Sequence, residues 1–152
     1  MENSNKEKID TLNNLLEINN DRIEGYDHAS KETEEADLKN LFSQLSSASY
    51  KNKTELADEI TKLGGKPVEG TRNTGKLYRA WMDVKAALTN KDRKTILNSC
   101  EFGEDIAVKN YEDALKNITT GSELYNMINK QFVTIKEGHN KVKQLRDELV
   151  KV

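Results

Sequence analysis

The sequence predicts a single all-α domain spanning residues 1–152, with four long helices and one short one. Three observations carry this. Pro67 is the only proline in the chain, so long stretches are free to be helical. Apolar residues recur at alternating spacings of three and four, the repeat of one helix face. Charged residues reach 33% against 35% hydrophobic, the balance of a narrow apolar stripe on broad solvated helices. A mean hydropathy of −0.84 would also suit a disordered chain. The periodic apolar pattern and a formal net charge of only −2 argue against that.

Helix A runs from about Lys6 to Ser30, with Ile9, Leu12, Leu16, Ile23 and Tyr26 on one face. Continuing the series places Asn19, a polar residue, in core register. A short turn near Lys31–Glu35 leads to helix B, which carries Leu38, Leu41, Phe42, Leu45, Ala48, Leu56, Ile60 and Leu63. Gly64-Gly65 ends it, since glycine takes the left-handed conformation of a helix stop. The loop KPVEGTRNTG follows, then a shorter helix from about Lys76 to Leu88 with Tyr78 and Trp81. An aromatic face on such a helix more often seals a core than binds a ligand. Helix C runs from about Asp92 to Lys116 with Ile96, Leu97, Cys100, Ala107, Tyr111, Ala114 and Leu115. Ser122 is placed to cap helix D, which carries Leu124, Ile128, Phe132, Ile135, Val142, Leu145 and Leu149.

Connection lengths set the topology. The A–B and C–D links are about 4–6 residues, so each pair is an antiparallel hairpin. Roughly 27 residues separate B from C, and their helix of about 13 residues spans about 20 Å. That is enough to carry the chain back along the domain so that B and C run parallel. A four-helix bundle with one long crossover is the ferritin-like arrangement. An up-down-up-down bundle with a fifth helix added outside is the alternative.

With that topology, Asn19, Glu104 and His139 fall within roughly 5 Å of one another in height. Glu104 continues the series Leu97, Cys100, and His139 continues Phe132, Ile135. The expectation is an interior polar layer in which Glu104 on helix C faces His139 on helix D. A carboxylate facing an imidazole suits iron, manganese or zinc. The reading preferred to a metal site is a buried ion pair completed by Asn19 and Tyr26 or Tyr111. Di-iron bundles use a Glu from each of two helices and Glu-x-x-His from each of the other two. Here Lys136 stands three residues before His139, and helix B has no histidine. The expected cofactor is therefore none, or at most a single metal ion held by Glu104, His139 and Glu24. Asp21 and Glu24 are the other carboxylates near the stripe of helix A, and His28 lies off it. Cys100 reads as a small buried core residue, with no C-x-x-C partner.

The segments DRIEGYDHAS, GGKP, GKLYRAWMDVKAAL, CEFGEDIAVKNYEDAL and KEGHNKVKQLRDEL resemble an uncharacterised bacterial four-helix-bundle family. That family is a domain of unknown function placed in the ferritin-like superfamily. The resemblance covers about Ile9 to Leu149, and Gly103-Glu104-Asp105 with Tyr111 are its most specific marks. It implies the fold, and it matches Glu104, His139 and Glu24 to positions that recur in the family. Iron chemistry follows from it only by analogy.

Composition bounds the function classes. Lys+Arg at 24 against Asp+Glu at 26 gives no electrostatic reason to bind nucleic acid or an anionic membrane. No apolar run approaches the roughly 20 residues that span a bilayer. One cysteine and a polar first segment, MENSNKEKID, point to the cytoplasm. No phosphate loop, nucleophile elbow or triad is present. The expected function is non-enzymatic, a binding or structural protein acting through its surface as a homodimer or with a protein partner. A metal-binding protein with an incomplete core site is the alternative.

Overall fold

The computed structural model describes residues 5–71 and 75–150, and every regular element among them is an α-helix. These are α1 (Asn5–Glu32), α2 (Ala36–Lys62), α3 (Gly75–Asn90), α4 (Arg93–Lys116) and α5 (Glu123–Val150). The ends of α2 and α3 and the starts of α4 and α5 fall where the sequence supplies their end chemistry. At the end of α2, Gly64 sits at φ 88°. Its N–H donates to Thr61 O, and the Gly65 N–H donates to Ile60 O. This pair of bonds satisfies two carbonyls that the last turn would otherwise leave open. The same pair closes α3, where Lys91 takes φ 56° in place of a glycine. Asp92 then caps α4 by accepting from Thr95 N, and Ser122 caps α5 by accepting from Tyr125 N at 3.0 Å.

Hydrogen bonds between helices give their directions. Asn52 bonds Asn19, Ser49 bonds Arg22 and Ser46 bonds Asp27, so α1 and α2 are antiparallel. Tyr111 meets Gln131 and Asp105 meets His139, so α4 and α5 are antiparallel. Asn14 meets Asn110 and Arg22 meets Glu104, which sets α4 antiparallel to α1. It follows that α2 and α4 run parallel, as the connection length between them requires. Arg93 ties their first turns together, bonding Glu35 at 2.8 Å and gripping both oxygens of Asp37.

The connection between α2 and α4 climbs along α1 in step. Gly65 lies against Ile9, and Asn13 bonds the backbone of Lys66 and Val68. Asn20 donates to Gly70 O, Trp81 lies on Gly25, and Lys91 reaches Glu34. Asparagine side chains on α1 thus stand in for the backbone partners that an irregular segment lacks.

Leu12, Leu15, Leu16, Ile18, Leu38, Phe42, Leu56, Ile60, Leu97, Ile128, Ile135 and Val142 form the apolar centre. Cys100 is fully buried among them, as expected of a core thiol. Tyr26 stacks on Phe42 at 5.6 Å and takes the edge of Trp81 at 4.8 Å and 85°. That contact needs Gly25. A Cβ at position 25 would lie 2.4 Å from the indole ring. Alanine normally gains about 0.5–1 kcal/mol over glycine inside a helix. Here Gly25→Ala is expected to lose about 1–3 kcal/mol, because the indole must leave its site. Urea unfolding measures it, and combination with Trp81→Leu should return most of the loss.

Candidate functional site

A stricter register than the one drawn from apolar residues runs along α1. Leu12, Leu15, Asn19, Arg22, Tyr26 and Ala29 alternate by three and four, and all six are buried. Arg22 is among the largest fully buried side chains of the molecule. Its Nε donates to Glu104 Oε2 at 3.1 Å and its Nη2 to Glu104 Oε1 at 2.8 Å. Nη1 donates to Ser49 Oγ at 2.6 Å, and the Tyr26 hydroxyl donates to Glu104 Oε1 at 2.8 Å. The result is a planar fork-on-fork pair, the geometry in which guanidinium and carboxylate satisfy each other best.

This corrects the expected partnership of Glu104. Its carboxylate faces Arg22 of α1, and His139 instead turns outward to Asp105, Nε2 to Oδ1 at 2.5 Å. The reason lies in the register of α5, whose buried line is Ile128, Gln131, Ile135, Gly138 and Val142. Gly138 occupies the core position beside the ion pair. A Cβ there would stand 2.7 Å from Leu45, 3.3 Å from Arg22 Nη2 and 3.5 Å from Glu104 Oε1. The absent side chain makes the room that the guanidinium fills, and His139 is left one position round the helix.

One turn along, a second layer closes on itself. Asn52 of α2 donates to Asn19 of α1 at 3.2 Å, and Asn19 donates to Tyr111 OH of α4 at 2.8 Å. Tyr111 donates to Gln131 Oε1 of α5 at 2.8 Å. Gln131 Nε2 returns to α2, to Glu55 at 3.0 Å and Asn52 O at 3.4 Å. The circuit touches all four long helices.

Burial by itself would lower the Arg22 pKa, but the Glu104 carboxylate, with Tyr26 and Tyr111 nearby, holds it above its ordinary value. The charge therefore stays. Burial pushes the Tyr26 hydroxyl well up, and the Glu104 charge pushes it further. Burial also raises Tyr111 and Cys100.

Residues 7–117 match the sequence profile of a family described as a domain of unknown function, DUF2383. The chain belongs to that family. The matched span contains Arg22, Tyr26, Glu104 and Tyr111 and ends with α4, so Gln131, Gly138 and His139 lie outside it. No curated protein matches the chain. No described helix is long and apolar enough to cross a membrane.

The interior does not fit the metal centre that the resemblance suggests by analogy. Glu104 has both oxygens committed to a guanidinium, whose positive charge stands where a cation would have to sit. Neither histidine joins it: His139 is on the flank of α5, and His28 lines a surface hollow with Glu24, Asp27 and Tyr50. Glu24 is exposed and also borders a cleft of about 290 Å³ between α1 and α3, with Trp81, Tyr78 and Lys85. The three residues expected as ligands, Glu104, His139 and Glu24, are therefore in three places. Arg22 was missed because a charged residue is discounted in a core register. The signal that could have found it is its place in the three-four line between Asn19 and Tyr26.

Two outcomes follow. Arg22→Met or Glu104→Leu alone should cost about 3–5 kcal/mol, because each leaves a buried charge without its partner. The double variant should recover much of that in a double-mutant cycle followed by urea unfolding. Additive losses below about 0.5 kcal/mol each would mean that water reaches the pair.

The raised hydroxyls and thiol predict alkaline sensitivity. Tyr26, Tyr111 and Cys100 keep their protons in the folded chain at a pH where the unfolded chain loses them. Their contribution is complete below the unfolded values, about 8.5–10, and is lost as pH rises through the folded ones. Urea midpoints should be level from about pH 7 to 8 and fall from about pH 9 upward. Tyr26→Phe should make that fall shallower.

Proposed function

We propose that the chain is a ferritin-like four-helix bundle that acts as a non-enzymatic binding or structural protein through its outer surface, as a homodimer or with a protein partner. Support for the bundle comes from the directions of α1, α2, α4 and α5 and from the single long α2–α4 crossover, the arrangement that defines that class. The observation that carries the function is the Arg22–Glu104 pair, 2.8 Å apart with side chains 1% exposed. A protein cation fills the centre of the interior, where bundle oxidases place their metals. The polar layer of Asn19, Asn52, Tyr111 and Gln131 closes on itself, and among the described residues of the interior none stands as a nucleophile or general base open to substrate. The outer faces, by contrast, carry most of a composition that is one-third charged.

Anaerobic loading with ferrous iron followed by oxygen admission tests the interior. The expected result is no iron-dependent oxygen uptake beyond that of buffer, in the wild type and in Glu104→Gln alike. Catalytic oxidation that Glu104→Gln abolishes would overturn the reading. Light scattering behind size exclusion tests self-association, with a mass near twice the 17.3 kDa of one chain expected for a homodimer. A strict monomer removes the homodimer and leaves the protein partner as the remaining form of the proposal.

A further inference from the structure

Outside the sealed interior, the antiparallel α4–α5 pair brings three side chains of another character together. Glu101 and Asp105 stand one turn apart on the same face of α4. His139 reaches across from α5. One ligand atom from each lies within 4.8 Å of the other two. Glu101 and His139 are largely shielded, their side chains 13% and 18% exposed, while Asp105 is 58% exposed.

His139 Nε2 and Asp105 Oδ1 are 2.5 Å apart, a short hydrogen bond in which the ring N–H donates to the carboxylate, and a divalent ion binding here would take the place of that proton. On the far side of the ring, Nδ1 is 3.4 Å from Asn140 Oδ1. Once a metal ion displaces the Nε2 proton, the ring keeps its other proton on Nδ1, facing that acceptor. Outer partners of this kind commonly orient a metal-bound imidazole. One positive group competes: Arg146 contacts Glu101 Oε2 and also bonds Asp147 at 2.9 Å. A carboxylate has a second oxygen, so Glu101 can keep Arg146 and still ligate.

We propose that Glu101, Asp105 and His139 form a surface site for a divalent transition-metal ion of the zinc class, clamping α4 to α5. One nitrogen and two carboxylate oxygens suit such an ion. Bonds of about 2.0–2.2 Å would set tetrahedral ligand atoms roughly 3.3 Å apart, so on binding exposed Asp105 moves back from its 2.5 Å contact with His139 while the three ligand atoms, now within 4.8 Å of one another, settle around the ion. Water completes the coordination. The site is independent of the interior ion pair, and its test is separate from that of the core.

Isothermal titration of the chelator-treated full chain with zinc chloride is the measurement, with magnesium chloride as the hard-cation control. One zinc per chain and no magnesium response are expected. His139→Ala and Asp105→Asn should each weaken zinc binding about 10–100-fold, since even an outer partner of a metal ligand is worth that much. His28→Ala should leave it unchanged. Arg146→Ala should bind zinc at least as tightly as the wild type, because it removes a competing charge. In proton NMR the His139 ring signals should move on zinc addition while those of His28, the other histidine of the chain, stay in place. Circular dichroism confirms that each variant is folded, and the NMR assay on the wild type does not depend on any variant. Equal affinity in the wild type, His139→Ala and Asp105→Asn would overturn the proposal, as would movement of the His28 signals alone or no zinc binding by the wild type.

Discussion

A guanidinium in an apolar interior has to be met from every side, and meeting it organises this molecule. Removing Arg22 from water costs several kcal/mol in solvation, and only close, well-aligned partners return it. They come from three helices: Ser49 of α2, Glu104 of α4, and Tyr26 of α1 itself, which supports the carboxylate. The fourth helix contributes an absence, the missing side chain of Gly138. A slip of one residue in any of the four would leave a buried charge short of a partner or drive a Cβ into the pair.

The layer one turn below strengthens that constraint with neutral groups. Asn52, Asn19, Tyr111 and Gln131 pass hydrogen bonds from α2 through α1, α4 and α5 and back to α2. In a low-dielectric interior such chains polarise one another, and an unmade link is costly. Apolar packing between helices tolerates small sliding motions, whereas these two layers do not. The conformational choice is thus made by polar groups, while most of the stabilisation comes from the leucines and isoleucines around them.

The same packing separates an inert interior from a reactive surface. The polar groups around Arg22 and Tyr111 bond one another. Where α4 and α5 meet solvent, a carboxylate pair and an imidazole converge with open space on one side. The two environments are adjacent in sequence: Glu104 and Asp105 are consecutive, yet one is sealed and the other exposed. A helix turns by about 100° per residue, and that rotation alone divides a structural carboxylate from a candidate ligand.

Much of the fold was legible in the chain. Periodicity of three and four located all five helices, Gly64-Gly65 and Ser122 marked their ends, and the length of the α2–α4 connection required the parallel pair. Burial of Asn19, Glu104 and Cys100 followed from register on single helices. The partners of those groups did not follow. Height along a helix is set by a rise per residue, but facing is set by rotation, and each helix offers two adjacent stripes that apolar spacing does not separate. On α5 the choice between the stripe with His139 and the stripe with Gly138 was made by the bulk of Arg22, a residue more than a hundred positions away. By itself the sequence determined the helices, their order and the burial of Asn19, Glu104 and Cys100, because these depend on local spacing and loop length. Only the tertiary structure decided that Arg22 meets Glu104 and that His139 turns to Asp105, because those pairings depend on space left by side chains from other helices.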